Sequence, residues 1–349
     1  MLPNNLEIEK IALFGKTLSE LQDIVKTLSL PKYTALQIAD WLYKKEVSSI
    51  DDFSNIAKKT RELLKEKYVF GLQKYTQEQK SIDGTKKYLF PTNNGQSIET
   101  AMIPSDDRRT VCVSTQVGCK MNCAFCFTGK QGFQSQLSSG DILNQFRSIV
   151  EFKGTTNIVY MGMGEPLDNI DEVLKSLEIL TADYGYAWSP KRITLSTIGI
   201  VPNLKRFLEE SKVHLAISLH SPFDKERLSI MPMQKAYPIK EVLSIIREFN
   251  FSQQRRISFE YIMLGNFNDS IEHAKALIDL VKGIPSRINL IRFHAIPDTD
   301  LQTTDENRML QFQQYLKENG LLCTIRASRG EDIYAACGLL STKEQNSKL

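Results

Sequence analysis

The chain has 349 residues, of which 42% are hydrophobic and 24% charged, the composition of an ordinary globular protein. No apolar run approaches the roughly 18 residues that span a bilayer, and the segment MLPNNLEIEK lacks a signal peptide's apolar core, so we expect a cytoplasmic protein with no membrane contact. A net charge of +3 permits a nucleic-acid partner without requiring one. Six cysteines in a reducing compartment indicate metal binding or reactivity rather than structural disulfides.

Residues 1–70 predict a small helical accessory domain. The segments LSELQDIVKTL and ALQIADWLYKK place apolar residues three and four positions apart, and LPKY separates them. Lysines concentrate in the second half of this domain, which fits a solvated helix face as well as contact with RNA phosphates. Contact with RNA is its expected role.

Residues 71–109 change to a period of two and predict a short β extension. The segments KKYLF and SIETAMI are typical of strands, and Asp83-Gly84 and Asn94-Gly95 predict turns beside them. The extension carries Glu99 near a predicted strand end, where a surface carboxylate is the ordinary interpretation. Glu99 matters only if the reaction needs a base.

From residue 110 to residue 340, apolar strands alternate with amphipathic segments such as DILNQFRSIVEF and EVLKSLEIL. The strands are TVCVS, NIVYMGM, RITLSTI, HLAISL, ISFEYIML, INLIRFH and CTIRAS. This alternation predicts the α/β class, with a parallel sheet in a partial (β/α)6 barrel. In such barrels the chemistry gathers at the carboxyl ends of the strands. Residues 341–349 resemble a polar tail.

The strongest signal is Cys119, Cys123 and Cys126, a Cys-x₃-Cys-x₂-Cys run in the loop-like segment GCKMNCAFC. A structural zinc site needs four ligands, and the nearest histidine in sequence is His214. Three thiolates instead suit three irons of a [4Fe–4S] cluster, whose fourth iron stays free for a substrate or cofactor. Three buried cysteines in a turn are the plainer interpretation.

The segment MGMGEPL, at 161–167, follows the second predicted barrel strand. Gly164 permits close backbone approach, and Glu165 offers a carboxylate to the ammonium group of a ligand, although an ordinary glycine-rich turn is the alternative. Ser196 and His220 stand near the ends of the next two strands. The candidates therefore converge on one rim of the predicted barrel.

Two further cysteines lie outside the cluster motif. Cys112 belongs to the first barrel strand and Cys337 follows the last, and the first and last elements of a wound barrel can meet at its mouth. A redox-active thiol pair is one interpretation, and two buried structural thiols are the other. Cys323, inside CTIRAS, is expected to be a core residue.

Several segments together resemble one known family. They are CVSTQ at 112–116, GCKMNCAFC at 118–126, TGKQGF at 128–133, MGMGEPL at 161–167 and DIYAACG at 332–338. They are similar to the radical S-adenosylmethionine (SAM) enzymes that methylate C2 of an adenine in 23S ribosomal RNA, and QIADWLYKK extends the likeness into the helical domain. The resemblance implies a monomer that methylates adenine 2503 of 23S rRNA, and also adenine 37 of tRNAs.

The same resemblance implies the roles of individual residues. Cys119, Cys123 and Cys126 would bind one [4Fe–4S] cluster, Cys337 would carry the methyl group, Cys112 would resolve the adduct, and Glu99 would be the base. The implied SAM contacts are Gly164, Glu165, Ser196, Ser218, Leu219, His220 and Asn289. An external electron donor and a disulfide reductant would complete the cycle. A methyl-carrying cysteine suits the problem, because the electron-poor C2 does not readily attack the methyl group of SAM.

Two alternatives remain open. A related resistance enzyme methylates C8 of the same adenine, and HSPF at 220–223 and STIGI at 196–200 favour it, whereas GKQGF and the helical domain favour C2. A non-catalytic RNA-binding module with an Fe–S cluster is the other. Arg292 and His294 replace the family's usual Pro and Asn, which leaves the shape around the adenine open. The aromatic candidates for holding that base are Phe127, Phe133, Tyr160 and Phe293.

Overall fold

A computed structural model of the chain describes residues 10–92, 95–249, 251 and 257–342, so Asn94 and most of the predicted tail lie outside the described residues. Its helices are α1 (Leu18–Thr27), α2 (Thr34–Tyr43), α3 (Lys58–Lys67), α4 (Phe127–Gln131), α5 (Ser139–Arg147), α6 (Ile170–Thr181), α7 (Val201–Glu210), α8 (Asp224–Ile230), α9 (Ile239–Glu248), α10 (Ile271–Val281) and α11 (Glu306–Glu318). Its strands are β1 (Ile11–Ala12), β2 (Tyr68–Val69), β3 (Gln77–Lys80), β4 (Lys86–Pro91), β5 (Ser97–Ser105), β6 (Arg108–Cys112), β7 (Gln116–Val117), β8 (Ser135–Gln136), β9 (Asn157–Tyr160), β10 (Ile193–Thr197), β11 (His214–Ser218), β12 (Ile257–Met263), β13 (Ser286–Arg292) and β14 (Leu322–Ile325). Within the described ranges, none of the helices has the length and apolarity that a membrane span requires.

Three helices, α1 to α3, dominate residues 10–70, as the apolar spacing predicts. Thr17 begins α1 with a capping box: its hydroxyl accepts from the Glu20 amide at 3.3 Å, and the Glu20 carboxylate accepts from the Thr17 amide at 2.8 Å. The region is not helical throughout, because β1 and β2 pair in parallel, with Ile11 opposite Tyr68. This short pairing joins the two ends of the helical unit and satisfies backbone groups that the helices leave unpaired.

Ten strands form one sheet in the order β14-β13-β12-β11-β10-β9-β6-β5-β4-β3. Seven of them, from β6 to β14 along this order, pair in parallel. Six helical crossovers connect these strands, so the expected (β/α)6 barrel is present with β14 as a seventh strand after the last crossover. The carboxyl ends of the parallel strands therefore share one rim.

An antiparallel extension, β3 to β5, continues the sheet from β6. Glu99 pairs across it with Leu89 of β4, and Ala101 pairs with Cys112 of β6. The predicted turn at Asp83-Gly84 joins β3 to β4, and the Asp83 carboxylate accepts a hydrogen bond from the Thr85 amide at 2.9 Å. The short antiparallel strands hold Glu99 inside the sheet rather than at its surface.

The barrel is open between its edge strands β14 and β3. The segment that follows β14 crosses this opening: the Gly330 amide donates to Asp83 at 2.9 Å, and Asp332 accepts from the Ser81 hydroxyl at 2.6 Å. Burial alone would raise the pKa of Asp83, but hydrogen bonds from Thr85 and Gly330 outweigh it and lower that pKa to about 2. Residues 328–342 thus close the barrel as a loop.

Candidate active site

A cavity of about 260 Å³ opens at the rim formed by the carboxyl ends of the parallel strands. Of the residues expected to react or to bind a cofactor, those that line it are Cys112, Cys119, Cys123, Cys126, Gly164, Glu165, Ser196, Ser218, His220 and Cys337. Glu99, Leu219 and Asn289 lie outside its lining. The strand topology therefore brings together motifs that are separated by more than half of the chain.

Cys119, Cys123 and Cys126 lie in the loop between β7 and α4. Cys126 precedes the first turn of α4, and its amide donates to the Cys123 carbonyl at 3.1 Å. The Ala124 amide donates to the carbonyl of Ile230 at 2.9 Å, so the end of α8 supports this loop. The loop therefore holds its three thiols against one wall of the cavity.

These three thiols suit a multi-iron cluster rather than a single metal ion. Across the described ranges, no group of three or more His, Cys, Asp or Glu side chains is arranged to hold one ion. Each ligand of a [4Fe–4S] cluster binds a different iron, so the thiolates need only share the cavity. Burial raises the pKa of Cys119 to about 12 and also raises the pKa values of Cys123 and Cys126. Neighbouring ionisable groups in the motif or at the rim raise all three pKa values further. A bound cationic cluster would offset this cost, so the donor set fits the cofactor.

Glu165 follows β9, and its side chain is buried at the rim. Its carboxylate accepts hydrogen bonds from the Ile198 amide at 3.0 Å, from the Leu167 amide at 3.1 Å and from the Thr197 hydroxyl. Burial nevertheless raises the pKa of Glu165 to about 7. A cationic ligand in the cavity would therefore draw this carboxyl group into its ionised form at neutral pH.

The turn before Glu165 requires glycine. Gly164 has φ of +99°, and a Cβ there would stand 2.6 Å from the Gln116 side chain. The Gln116 amide oxygen in turn accepts from the Glu165 backbone amide at 2.8 Å. This close approach fixes the direction in which Glu165 leaves the strand.

The next strand ends supply polar groups at two depths. Ser196 and Ser218 line the cavity directly. Leu219 lies behind them, with its amide donating to the Glu260 carbonyl at 3.0 Å. Asn289 also lies behind the lining, where its amide group donates to the Glu260 carboxylate at 2.7 Å. Asn289 therefore reaches the cavity through Glu260.

His220 is a buried neutral base with a left-handed backbone, φ +60°. Burial, and then the nearby charge of Arg227, lower its pKa to about 3. The Ile262 amide donates to Nδ1 at 3.0 Å, which leaves the proton of the neutral ring on Nε2. Phe125, the aromatic residue of the cysteine motif, meets this ring edge-on at 4.7 Å between centroids.

Cys112 and Cys337 both line the cavity and are both free thiols, the first buried and the second exposed. Cys112 packs with Ala335 in a small apolar cluster beside the main core. Burial, and then Cys337, raise the pKa of Cys112 to about 12. The topology thus brings the thiol of the first barrel strand to the thiol that follows the last.

The Glu99 side chain is buried within β5, with only 1% of its surface exposed, so the surface carboxylate near a strand end was a wrong expectation. Its carboxylate pairs with Lys87 at 2.9 Å and accepts from the Ser341 amide at 2.9 Å. Because Ser341 follows Cys337 closely, the segment that carries the exposed thiol also covers the carboxylate of Glu99.

The aromatic candidates separate into core, rim and surface. Phe127 and Phe293 are buried in the main core, whereas Phe133 is 40% exposed. Tyr160 lines the cavity, but its side chain is buried and its hydroxyl lies 2.7 Å from that of Ser176. Phe125, which the sequence marked only as part of the cysteine motif, is the second aromatic residue of the lining.

No sequence motif points to Glu260 and Arg326, which also line the cavity. They form an ion pair at 3.2 Å, and the Glu260 charge is the main reason that the pKa of Arg326 rises. The charge of Arg326 acts on both Cys112 and Cys337. A carboxylate in the middle of a strand and an arginine after another are common patterns, so only the fold reveals this pair.

The two departures from the family pattern also face the cavity. Arg292 is held by the Glu306 carboxylate at 2.6 Å. His294 lies between the Ser328 hydroxyl, at 2.9 Å, and the Glu331 carboxylate, at 3.1 Å. His294 thereby supports the start of the segment that closes the barrel, whereas Arg292 is anchored to α11.

Comparisons with known proteins agree with this site. Residues 113–281 match the Radical SAM superfamily, and residues 11–69 match the ribosomal RNA large subunit methyltransferase N-terminal domain. A relative from Parabacteroides distasonis, named probable dual-specificity RNA methyltransferase RlmN, is 57% identical over 96% of this chain and 98% of its own length. The dual-specificity RNA methyltransferase RlmN of Nautilia profundicola is 42% identical over 90% of this chain and 94% of its own length.

The fold comparison agrees with the sequence relatives. A crystal structure of a radical SAM methyltransferase from Sphaerobacter thermophilus matches with a TM-score of 0.88 and 36% identity, covering 95% of this chain and 99% of that one. The likeness therefore includes the helical unit, the antiparallel extension and the barrel together. With identities above half over nearly the whole length, the chain belongs to the family of radical SAM RNA methyltransferases named RlmN.

Proposed function

We propose that this enzyme methylates C2 of adenine 2503 in 23S rRNA and of adenine 37 in tRNAs, with Cys337 as the methyl carrier. The observation that carries the proposal is that Cys112 and Cys337 share one cavity with Cys119, Cys123 and Cys126. Direct polar transfer from SAM to RNA would have no use for a second set of thiols there. The relatives' printed name, dual-specificity RNA methyltransferase, supports more than one RNA substrate.

The cavity divides between the two cofactors. Cys119, Cys123 and Cys126 hold one [4Fe–4S] cluster, and Glu165 holds the ammonium group of SAM. When bound, these groups supply a 5′-deoxyadenosyl radical. The other groups that orient SAM are the backbone of Gly164 and Leu219, the hydroxyls of Ser196 and Ser218, the ring of His220, and Asn289 acting through Glu260.

Cys337 acts as a nucleophile first. Its thiolate attacks the methyl group of one SAM, so a C–S bond forms at Sγ and S-adenosylhomocysteine leaves. A second SAM, held by the same residues, would supply the radical that removes one hydrogen atom from the methyl group on Cys337, so that this carbon can form a bond to C2. The one electron left on the adduct would pass back to the cluster that Cys119, Cys123 and Cys126 hold. The exposure of Cys337 supports this role, because the thiol must meet both SAM and a large RNA.

Cys112 and Glu99 complete the transfer. Glu99 takes the C2 proton, and its carboxylate lies 2.9 Å from the Lys87 ammonium group. The thiolate of Cys112 attacks Sγ of Cys337, so an S–S bond forms, the C–S bond to the adduct breaks, and the released carbon takes up a proton. Because the Ser341 amide covers Glu99, the segment after Cys337 moves aside when RNA binds.

RNA recognition is divided among the parts of the chain. Residues 1–70 contact folded RNA as a helical accessory domain, residues 71–109 present Glu99, and residues 110–340 form the catalytic barrel. The match of residues 11–69 to a ribosomal RNA methyltransferase domain supports the first assignment. We further propose a cytoplasmic monomer that depends on an external electron donor and a disulfide reductant.

C8 of the same adenine is the second candidate position. The stretches HSPF at 220–223 and STIGI at 196–200 favour it, and both lie at the cavity rim. The relatives' names give the substrate as RNA without a position on the base. The non-catalytic alternative falls away, because the chain belongs to a family of methyltransferases.

Anaerobic reconstitution with iron and sulfide, followed by reaction with SAM, a low-potential one-electron donor, a dithiol reductant and an rRNA fragment, tests the proposal. Mass spectrometry of the digested RNA should detect 2-methyladenosine at the target position. Detection of 8-methyladenosine alone would replace C2 by C8 and leave the role of the thiols intact. Unmodified RNA, in a reaction where the cluster is intact and SAM is reductively cleaved, would contradict the proposal. A tRNA substrate in a parallel reaction tests the second activity.

A further inference from the structure

Arg227, on α8, is a fully buried arginine whose hydrogen-bond partners are all neutral. It has 1% of its surface exposed. Its Nε donates to the Leu219 carbonyl at 3.0 Å, and its Nη2 donates to the carbonyls of Ser218, at 3.0 Å, and Ile198, at 3.4 Å. Its Nη1 donates to the side-chain oxygen of Gln234. These bonds satisfy the guanidinium donors without neutralising the charge.

No carboxylate from the described ranges forms an ion pair with Arg227, although buried charges in proteins are normally paired. Asp224, on the same helix, is held by the Gln234 amide at 3.0 Å and by Lys240 at 3.2 Å. Burial lowers the pKa of Arg227 to about 10, so the side chain remains charged at neutral pH. A buried cation of this kind requires an anion that the side-chain contacts do not supply.

The cysteine loop packs against the helix that carries this cation. The Ile230 carbonyl, one turn beyond Arg227 on α8, accepts from the Ala124 amide at 2.9 Å. This bond places the helix directly against the stretch from Cys123 to Cys126. Among the charges that act on Arg227, the thiolate of Cys123 is the strongest.

We propose that Arg227 supplies a fixed positive charge that favours the reduced state of the iron–sulfur cluster. The inference rests on the proposed binding of that cluster by Cys119, Cys123 and Cys126. Three thiolates and an oxidised [4Fe–4S]²⁺ core carry one net negative charge, and one electron from an external one-electron donor adds a second. A buried cation stabilises the more negative state more strongly, and no bond forms or breaks. Arg227 therefore acts through the cluster and touches neither SAM nor RNA.

Redox titration of the reconstituted protein, followed by the electron paramagnetic resonance of the reduced cluster, tests this inference. Arg227→Gln removes the charge and keeps a polar group for the strand-end carbonyls. We expect the equilibrium constant for reduction of its cluster to fall at least tenfold, which is a shift of about 59 mV to lower potential for one electron. Arg227→Lys keeps the charge and should stay within threefold of the wild type. Arg206→Met, which removes an exposed arginine from α7, is the control and should cause no shift.

A second readout does not depend on potential or activity. Because the cluster relieves the unpaired charge, its binding should raise the melting temperature of the wild type more than that of Arg227→Gln. If Arg227→Gln and Arg227→Met both fail to take up iron while Arg227→Lys succeeds, the charge is required and the inference stands. Failure of all three would assign the role to the guanidinium hydrogen bonds and overturn it.

The two proposals fail in different ways. Wild-type protein that binds no cluster would overturn the proposed function together with this inference. Wild-type protein with a normal cluster, and an Arg227→Gln variant with an unchanged potential, would overturn the role of Arg227 alone.

Discussion

The amide of Phe127 donates a hydrogen bond to the carbonyl of Gly338, with 2.8 Å between nitrogen and oxygen. Phe127 follows Cys126, and Gly338 follows Cys337, so one backbone bond joins the residues next to the proposed cluster ligand and to the proposed methyl carrier. Thr128 adds a second tie, because its hydroxyl donates to the Leu340 carbonyl at 2.5 Å. These two hydrogen bonds hold the loop of Cys126 and the segment of Cys337 together.

Gly338→Ala should impair methyl transfer while sparing the cluster. Gly338 has φ of +83°, and an added Cβ would lie 3.2 Å from the Phe125 carbonyl, so the segment must shift. We expect methylation to fall by about tenfold or more, since small displacements of a reacting group are costly. Gly320→Ala is the control, because Gly320 has φ of +82° with nothing within 4 Å of the added Cβ. Equal activities of the two variants in the RNA methylation assay would argue against the tie.

Cys337→Ala should keep its cluster but transfer no methyl group to RNA. The side chain is exposed and outside the cysteine motif, so iron and sulfide content should equal those of the wild type. Slow cleavage of SAM should remain, measured as 5′-deoxyadenosine. Cys323→Ala is the matched control, because Cys323 is buried in β14 away from the cavity and should only lower stability. Normal methylation by Cys337→Ala would refute the carrier role.

Cys112→Ala should trap a covalent adduct between the protein and RNA. Without the buried thiol, the C–S bond between Cys337 and the base has no internal nucleophile to break it. Denaturing gels of reactions with labelled RNA should show a band of slower mobility. The band should vanish in a variant that lacks Cys337 as well. A Cys112→Ala enzyme that turns over with free product would remove the resolving role.

SAM affinity should weaken as the pH falls through 7 in the wild type but not in Glu165→Gln. Burial raises the pKa of Glu165 to about 7, so the carboxylate fraction drops from about nine-tenths at pH 8 to about one-tenth at pH 6. The dissociation constant of SAM should therefore rise about tenfold over this range. Calorimetric titration at several pH values provides the measurement. Glu172→Gln, outside the cavity lining, should keep the wild-type profile.

The same carboxyl group makes stability depend on pH. Its folded pKa exceeds the unfolded value of 4.5, so the native state binds the proton more tightly, and stability falls as pH rises from about 4.5 to 7. The full loss is about 3 kcal/mol, at about 1.4 kcal/mol for each pKa unit. Urea unfolding should show this loss as a difference between the wild type and Glu165→Gln. A constant difference across the range would contradict the raised pKa.

Lys87→Met should destabilise the fold far more than Lys86→Met. The Lys87 side chain is 9% exposed and that of its partner Glu99 only 1%, so the substitution leaves a buried charge, at a cost of about 3 kcal/mol. Lys86 is 20% exposed and pairs with Glu78 and Glu151, so its removal should cost about 1 kcal/mol or less. Urea unfolding of both variants provides the test. Similar losses would mean that the Glu99 pair is effectively solvated.

Much of the barrel was predictable because its signals are local. Each parallel strand is an apolar run followed by a helix, and Cys119, Glu165 and Ser196 follow successive strands, so one rim was expected to collect them. The surroundings of Glu99 were not predictable, because Lys87 and Ser341 approach it from distant parts of the chain. A short strand such as SIETAMI does not reveal how deeply the carboxylate of Glu99 is buried.

Arginines were the larger omission. Arg227 and Arg326 look like ordinary surface residues in sequence, since neither sits in a recognisable motif. Their partners are strand-end carbonyls and the Glu260 carboxylate, which only the tertiary fold brings to them. Two of the aromatic candidates, Phe127 and Phe293, lie near the motifs in sequence, but their side chains point into the core. Proximity in sequence does not determine direction.

The loop that closes the barrel has one more consequence. Every other part of the wall consists of strands joined by ladders of hydrogen bonds, which cannot open without breaking the sheet. The gap between β14 and β3 is bridged instead by a few side-chain contacts, among them Ser81 to Asp332 and Asp83 to Gly330. Cys337, the proposed methyl carrier, therefore lies on the part of the wall that no strand ladder holds in place. Outward movement of this loop would let the thiol of Cys337 meet SAM and ribosomal RNA in turn, without a channel through the barrel.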